Sequence, residues 1–212
     1  MIDKVQIGDA TLYCADCLNV LPELEGVDCV VTDPPYKVNL TYQPDSYDDS
    51  RRSLKETFNS WVSLMLAVTR LVILTPGYRN MFEYPEPDAV MVRYDVTAQS
   101  PHPVAYMSKW EPIFIYGKIN GKKPAWDVIE THCQVERRKI PVDHPCPKTL
   151  DLMRPLLLMT DGLICDPFMG SGTTGVAAAR LGRKFIGVEI DRKYFDIACE
   201  RIDKEVSQGK LF

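Results

Sequence analysis

One stretch of this chain limits its fold more than any other. Residues 163–191 read LICDPFMGSGTTGVAAARLGRKFIGVEID. An apolar run ends at Asp166, a glycine-rich loop follows, and the helix-forming residues 176–181 stop at Gly182, where a left-handed cap costs least. A second apolar run then carries Glu189 near its end. The order strand, loop, helix, strand predicts half of a nucleotide-binding α/β fold.

The loop in this stretch predicts a ligand that contains adenosine. Gly170, Gly172 and Gly175 spell GxGxxG, which lets a ligand approach the backbone closely at the N-terminus of a helix. Glu189 follows at the spacing from which a carboxylate can bind two ribose hydroxyls. A dinucleotide fits this pattern as well as any other adenosine-containing ligand. Because only residues 192–212 follow, enough for one helix, we expect the other strands of the sheet to come earlier in the chain, in a permuted order.

The composition favours an ordinary globular protein. Among the 212 residues, 45% are hydrophobic and 9% aromatic, which suits one domain, residues 1–212, with an apolar core. Neither a membrane span nor a signal peptide is visible, so we expect a cytoplasmic protein. The net charge of −4 argues against sequence-independent binding of nucleic acid, although a local basic patch would suffice for a transient contact.

The seven cysteines suit reduced thiols better than a disulfide framework, because the count is odd and two of them lie in apolar runs. Cys14 and Cys17 form a single CxxC motif. His132 with Cys133, and His144 with Cys146, could complete a metal site in principle, but a second CxxC is missing. We therefore expect no metal.

A second motif, Asp33-Pro34-Pro35-Tyr36, follows a mostly apolar strand. The prolines remove two donors and leave their carbonyls as acceptors only. Asp33 and the Pro34 carbonyl suit the two N–H groups of an exocyclic amine, and Tyr36 suits stacking on its ring. Two fixed acceptors draw the amine nitrogen toward tetrahedral geometry as it attacks, an effect that belongs mainly to the transition state. By itself the motif also fits a turn that closes a strand.

The rest of the chain predicts alternating strands and helices, and hence an α/β fold with a mixed, mainly parallel sheet and helices on both faces. The expected elements are a hairpin across Gly8 and Asp9, a brief helix at 20–24, a long polar loop after Tyr36, a helix at 54–68, a strand at 71–74, an edge pair of strands at 90–96 and 112–117, a helix at 148–159 disturbed by Pro155, and a last helix capped by Asp191.

Together the two motifs resemble those of the permuted, beta-group DNA amino-methyltransferases, in which DPPY precedes the cofactor loop, here FMGSGTT. The similarity covers residues 11–36 and 144–202. Residues 144–149 read HPCPKT where the family usually has HPTQKP. The resemblance implies a Rossmann-like enzyme that transfers a methyl group from S-adenosylmethionine to the amino nitrogen of a base flipped out of double-stranded DNA.

The resemblance also implies roles for individual residues. The DPPY residues Asp33, Pro34, Pro35 and Tyr36 would be catalytic. The cofactor residues would be Asp16 and Cys17 near the adenine ring, Glu189 at the ribose, Lys148, and at the methionine and sulfonium end Asp166, Phe168, Gly170, Ser171, Gly172, Thr173 and Thr174. Target recognition falls to residues 119–143, which is short for the family.

Residues 118–139 hold the densest run of positive charge outside the cofactor half. We expect most phosphate contacts there, from Lys122, Lys123, Arg137 and Arg138. A homodimer is compatible with the sequence, and nothing in it identifies a restriction partner.

Adenine is favoured over cytosine because Asp heads the tetrapeptide, as in the adenine enzymes of the family. The alternatives are cytosine-N4 or RNA methylation, a nicotinamide-dependent oxidoreductase, and a catalytically silent DNA-binding module. The sequence shows no proton-relay pattern such as Tyr-x-x-x-Lys, which argues against an oxidoreductase. A catalytically silent module would be expected to have lost the DPPY tetrapeptide, which is intact here.

Overall fold

The computed structural model describes residues 3–35, 54–97, 100–101, 107–132 and 148–209. The expectations for Tyr36 and the loop after it, and for Cys133, Arg137, Arg138, His144 and Cys146, concern residues outside these ranges.

The described chain contains eleven strands and five α-helices. The strands are β1 (Asp3–Ile7), β2 (Ala10–Cys14), β3 (Cys29–Thr32), β4 (Leu71–Leu74), β5 (Ala89–Asp95), β6 (Ser100–Pro101), β7 (Met107–Ser108), β8 (Trp110–Gly117), β9 (Val128–Thr131), β10 (Ile164–Asp166) and β11 (Phe185–Glu189). The helices are α1 (Cys17–Val20), α2 (Leu54–Val68), α3 (Leu150–Leu158), α4 (Thr173–Arg180) and α5 (Arg192–Gly209), with short 3₁₀ turns at Leu21–Glu23 and Met81–Glu83.

Nine of these strands form one sheet in the order β1-β2-β11-β10-β3-β4-β8-β5-β9. Within it β1 and β8 are antiparallel to their neighbours, and the remaining strands run parallel to one another. The strands β6 and β7 pair separately. The expected mixed, mainly parallel sheet is confirmed.

Helices cover both faces of the sheet, as expected. One face packs against α3, α4 and α5 through a core that includes Val31, Ile73, Leu156 and Phe195. The other packs against α1 and α2 through Val30, Val72, Phe58 and other apolar side chains. Central strands buried on both faces explain the nearly continuous apolar runs in the sequence.

Two local expectations were wrong. The strands β5 and β8 do pair antiparallel, but β9 pairs with β5 on its outer side, so the pair is not the edge of the sheet. The brief helix begins at Cys17, ahead of residues 20–24, because Asp16 caps it through a hydrogen bond from the Leu18 N–H. Pro22, in the 3₁₀ turn that follows, offers no N–H for further helical bonds.

None of the helices within the described ranges is both long enough and apolar enough to span a membrane.

Candidate active site

Polar side chains gather where neighbouring parallel strands end, along what we call the carboxyl edge. Asp16 follows β2, Glu189 ends β11, Asp166 ends β10, Asp33 follows β3, and Thr75 follows β4. These five strands are adjacent in the sheet in that order. Open parallel sheets bind their ligands along such an edge. The structure therefore brings the two sequence motifs together, although more than 100 residues separate them in the chain.

The glycine loop between β10 and α4 is tied to the neighbouring strand. The Met169 N–H donates to the Val188 carbonyl at 3.0 Å, and the Gly172 N–H closes a turn onto the Met169 carbonyl at 2.8 Å. Gly170 and Gly172 have φ angles of 51° and 82°, in the left-handed region that favours glycine. The loop thus presents its backbone at the N-terminus of α4, next to Glu189.

The rear of the loop packs against α5. The Arg201 guanidinium donates to the Ser171 carbonyl, and also to its hydroxyl at 3.0 Å. A Cβ on Gly172 would lie 2.8 Å from the Ala198 Cβ, and a Cβ on Gly175 would lie 2.4 Å from the Ile202 Cδ1. The third glycine of the motif therefore serves helix packing, which GxGxxG alone does not distinguish from ligand contact.

The Glu189 carboxylate borders the loop. Its Oε2 accepts from the Gly170 N–H at 2.9 Å and its Oε1 from the Asp191 N–H at 2.8 Å. Burial raises the pKa of Glu189 to about 7, and the nearby charges of Asp191 and Asp166 act in the same direction against the two N–H donors. A carboxylate oxygen has room for a second donor, so the arrangement is compatible with ribose hydroxyls.

Asp166 is buried beneath the loop. Its Oδ1 accepts from the Thr32 hydroxyl at 2.6 Å and from the Phe168 N–H at 3.1 Å. Burial raises the pKa of Asp166 to about 6, and hydrogen bonds from Thr174 and Thr32 oppose the rise. The negative charge of Asp33 adds to it. A buried carboxylate of this kind gains most from a ligand that carries positive charge.

Asp16 and Cys17 lie beside the end of β11. The Ala15 N–H donates to the Glu189 carbonyl at 3.0 Å, which brings the start of α1 to the carboxyl edge. Asp16 caps that helix, and the Cys17 side chain is buried. The Phe168 ring, on the loop, contacts the Trp61 ring of α2 with the ring centroids 4.7 Å apart. All the expected cofactor residues apart from Lys148 thus lie on or beside the glycine loop and the ends of β2 and β11.

The Asp33 carboxylate stands one strand away from Asp166. Its Oδ1 accepts from the Thr75 hydroxyl at 2.5 Å and pairs with the Lys148 ammonium at 3.2 Å. Pro34 is buried and Pro35 is partly buried. The Thr32 hydroxyl that binds Asp166 belongs to the residue directly before Asp33, so the two motifs are joined by a hydrogen bond.

Lys148 belongs to a row of charged side chains that alternate in sign and begin at Asp33. We call Asp33, Lys148, Glu111, Arg93 and Asp95 the charge row. The successive nitrogen–oxygen distances along it are 3.2, 2.6, 3.0 and 2.9 Å. The structure therefore places the ammonium of Lys148 between Asp33 and Glu111, whereas the sequence grouped this residue with the cofactor ligands.

The described cations of the basic segment lie far from this edge. Lys122 is exposed, and its N–H donates to the Leu158 carbonyl at the end of α3. The N–H of Gly121 donates to Met159, in the connection that leads to the start of β10. Lys122 and Lys123 therefore lie at the amino edge of the sheet, opposite Asp33. Residues 133–147, which include the other two expected cations, are joined to the described chain at His132 and Lys148.

The sequence did not reveal Thr75, Arg93, Glu111 and Asp95 as parts of the site. The sequence did contain a signal for three of them. Arg93 and Asp95 lie on the same face of a predicted strand as the apolar Met91, and Glu111 stands just before the apolar run of β8. Charged residues at inward positions of a strand indicate buried partners. Thr75 carried no comparable signal.

The described residues contain no group of three or more His, Cys, Asp or Glu side chains that could hold a metal ion. The cysteines that the structure describes, Cys14, Cys17, Cys29, Cys165 and Cys199, are free thiols.

Known proteins resemble the chain in sequence and in fold. A type II methyltransferase, M2.LlaDCHI of Lactococcus lactis subsp. cremoris, is 44% identical over 95 residues, which are 43% of this chain and 35% of that protein. The solved structure of an M1.HpyAVI–SAM complex matches with a TM-score of 0.68 at 21% identity, over 91% of this chain and 99% of that one. PvuII DNA methyltransferase, which is cytosine-N4-specific, matches with a TM-score of 0.64 at 14% identity, over 96% and 92% of the two chains.

At these identities the two solved structures show a shared fold, the Rossmann-like fold of DNA methyltransferases. The family model described as DNA methylase, with N6 and N4 in its name, matches residues 27–200, which are most of the chain. The chain therefore belongs to the N6/N4 DNA methylase family.

Proposed function

We propose that this chain transfers a methyl group from S-adenosylmethionine to the exocyclic amino nitrogen of adenine in double-stranded DNA, as a permuted, beta-group enzyme. The observation that carries the proposal is the hydrogen bond from Thr32 to Asp166, 2.6 Å long, which fixes the acceptor pair of Asp33 and Pro34 beside the glycine loop. A methyl donor bound at the loop and an amine bound by Asp33 would therefore lie next to each other.

The charges at the carboxyl edge fit S-adenosylmethionine, which carries a sulfonium and an ammonium group. Asp166 and Glu189 are buried carboxylates whose pKa values are raised, so each gains from nearby positive charge. A dinucleotide would bring a pyrophosphate to the loop above Asp166, where like charges repel. The electrostatics therefore support a methyl donor over the nicotinamide cofactor that the glycine pattern left open.

The chain's own residues orient the amine. The Asp33 carboxylate and the Pro34 carbonyl accept its two N–H bonds and favour the tetrahedral geometry that the nitrogen adopts as it attacks. When bound, S-adenosylmethionine supplies the electrophilic methyl group. As the N–C bond formed, the C–S bond of the bound donor would break and its electron pair would stay on sulfur. The alkylated nitrogen is strongly acidic and gives up a proton, with Asp33 as the first acceptor.

The amino group of adenine is paired inside a duplex, so the enzyme must flip the nucleotide out, at a cost of a few kcal/mol. We assign Tyr36 to the face of the flipped ring, where stacking would offset part of that cost. The assignment rests on its place directly after Pro35 in the sequence.

Tyr36→Ala should weaken capture of the flipped base by roughly 1 to 3 kcal/mol, because it removes a stacking contact. Tyr36→Phe and Tyr36→Trp should retain much of the activity, since both keep an aromatic face. Steady-state kinetics on a DNA substrate give the comparison. If Tyr36→Trp were as inactive as Tyr36→Ala, stacking would not be the role of this residue.

The affinity for S-adenosylhomocysteine should fall as the pH is lowered from about 8 to about 5. The pKa is about 7 for Glu189 and about 6 for Asp166 without ligand, so both gain protons in this window and lose the charge that binds the ligand. Binding should accordingly release protons near neutral pH, which calorimetry in buffers of different ionisation enthalpy measures. Glu189→Gln should remove part of the dependence. Affinity that stays level or rises on acidification would contradict the assignment.

Neutralising Lys122, Lys123, Arg137 and Arg138 together should lower the affinity for DNA and reduce the slope of log affinity against log salt by about 0.9 for each lost phosphate contact. Two double variants refine the test, one that neutralises Lys122 and Lys123 and one that neutralises Arg137 and Arg138. Because Lys122 and Lys123 lie at the amino edge, Arg137→Gln with Arg138→Gln should have the larger effect. An unchanged slope in the fourfold variant would place the DNA contacts elsewhere.

The base is identified by product analysis. The protein is incubated with tritiated S-adenosylmethionine and either DNA from a strain that lacks methylation or a matched RNA, and the digested nucleosides are separated. We expect label in N6-methyldeoxyadenosine. Label in N4-methyldeoxycytidine or in RNA would keep the chemistry and change the substrate, and the absence of label with normal ligand binding would favour a silent DNA-binding module.

A further inference from the structure

The charge row links the proposed acceptor Asp33 to the far side of the sheet. Its members come from separate elements: Asp33 follows β3, Lys148 precedes α3, Glu111 lies on β8, and Arg93 and Asp95 lie on β5. Arg93 stands opposite Glu111 in the register of β5 and β8. Side-chain exposure is 9% for Lys148, 16% for Glu111 and 9% for Arg93.

Burying these charges is costly, and a buried ion pair is by itself weak evidence for a gain in stability. Burial alone would lower the pKa of Lys148, but the charges of Asp33 and Glu111 outweigh it and raise that pKa. Burial would likewise raise the pKa of Glu111, but Lys148 and Arg93 lower it to about 2. Lys148 and Glu111 are therefore both charged at neutral pH, and Lys148 remains a cation beside Asp33.

We propose that Lys148 is a positioning residue for Asp33, fixed in place by Glu111. This inference rests on the proposed role of Asp33 as acceptor for the amine. Nζ of Lys148 and the hydroxyl of Thr75 hold the same oxygen, Oδ1, at 3.2 and 2.5 Å. Together the two donors fix the rotation of the carboxylate, so the acceptor is in place before the base arrives.

The ammonium also acts on the charge of Asp33. Asp166 at the end of β10 and the buried phenol of Tyr84 also face Asp33 from other elements. The negative charge of Asp166 disfavours a second negative charge beside it, and Lys148 opposes that effect. A protonated Asp33 would offer a hydrogen to the amine in place of an acceptor, so Lys148 keeps Asp33 competent for catalysis.

The anchoring of Lys148 explains why it turns toward Asp33. Its ammonium is 2.6 Å from Glu111 Oε1, and the guanidinium of Arg93 holds Oε2 of the same carboxylate at 3.0 Å. Arg93 in turn donates to the Thr131 hydroxyl on β9 at 3.0 Å. Glu111 is thus fixed from both sides, and it holds the ammonium at the end of β3.

The test compares Lys148→Met with Lys109→Met, which replaces an exposed lysine just before β8. We expect Lys148→Met to lower the single-turnover rate of methyl transfer about 10- to 100-fold, by analogy with residues that orient the ligands of a metal ion. Its affinity for S-adenosylhomocysteine should stay close to that of the unchanged protein. The acidic limb of its pH–rate profile should move to higher pH, because Asp33 loses a cation and keeps Asp166. Lys109→Met should change none of these.

Two further variants separate positioning from folding. Thr75→Val removes the hydroxyl at nearly constant shape and should lower the rate without moving ligand affinity. The double variant Lys148→Met with Glu111→Gln removes both members of a buried pair, so neither of the two is left as a lone charge, and Arg93 keeps Asp95 as its partner. It should fold, and it should show the same shift of the acidic limb.

A loss of ligand affinity in Lys148→Met without a rate effect at saturating ligand would make Lys148 a cofactor residue and overturn the inference. A slower rate with an unmoved acidic limb would reduce Lys148 to a structural role. A direct readout uses ¹³C NMR of the Asp33 carboxyl, which should titrate at higher pH in both Lys148 variants. This signal needs no turnover. If the Asp33 carboxyl titrated at higher pH in the Lys148 variants but the unchanged protein transferred no methyl group, the proposed function would be rejected and the coupling between Lys148 and Asp33 would stand.

Discussion

Replacing Asp33 with alanine should abolish methyl transfer and leave the binding of S-adenosylhomocysteine nearly unchanged. The carboxylate is the charged member of the acceptor pair, and two side chains that hold it, Thr75 and Lys148, do not belong to the glycine loop. Removing one such group from a transition state typically costs about 100-fold or more in rate. Single-turnover assays with labelled donor, together with calorimetry of ligand binding, give the two numbers.

Asp203→Ala is the matched control, because it removes an exposed carboxylate on α5. Asp33→Asn keeps the shape and one acceptor atom, so it should retain more activity than alanine and less than the unchanged protein. Near-normal turnover of Asp33→Ala on DNA would mean that the DPPY motif does not hold the amine, even if the protein still methylates DNA.

Glu189→Ala should weaken the binding of S-adenosylhomocysteine by about 10-fold or more. Hydrogen bonds to a charged group contribute about 1.5 to 3 kcal/mol each, and the carboxylate is expected to accept from the ribose. The substitution also leaves the Gly170 and Asp191 N–H groups without their acceptor, which loosens the loop. Glu200→Ala, an exposed carboxylate on α5, should bind normally.

A ligand lacking the ribose 2′-hydroxyl separates these two effects. In the unchanged protein the 2′-deoxy ligand should bind more weakly than S-adenosylhomocysteine, and in Glu189→Ala the two should bind alike, since the partner of the hydroxyl is gone. An equal penalty in both proteins would show that Glu189 supports the loop and does not touch the ribose.

The cofactor half could be predicted because its signals are local. The apolar runs before Asp166 and Glu189 mark the ends of two strands, and the glycines between them mark the loop. The Asp33 motif was local as well, and parallel strands place such ends on one edge by their geometry. That is why two motifs more than 100 residues apart could be expected in one site.

The charge row could not be predicted in the same way, because its partners come from distant parts of the chain. Nothing near Lys148 in sequence identifies Glu111 as its neighbour, and a resemblance to a family motif suggested a cofactor role. The edge strand β9 is only four residues long and alternates exposed and buried positions, so it stood out little from the polar residues around it. Tertiary pairing, rather than local preference, determined both.

In the proposed reaction the methyl group becomes attached to an exocyclic amino nitrogen. The most direct measurement supplies S-adenosylmethionine with a deuterated methyl group and unmethylated DNA whose adenine amino groups carry ¹⁵N, then fragments the product nucleoside in a mass spectrometer. We predict a deoxyadenosine in which the deuterated methyl group and ¹⁵N stay together in one fragment. A methyl group found on a ring carbon or a ring nitrogen would contradict the account.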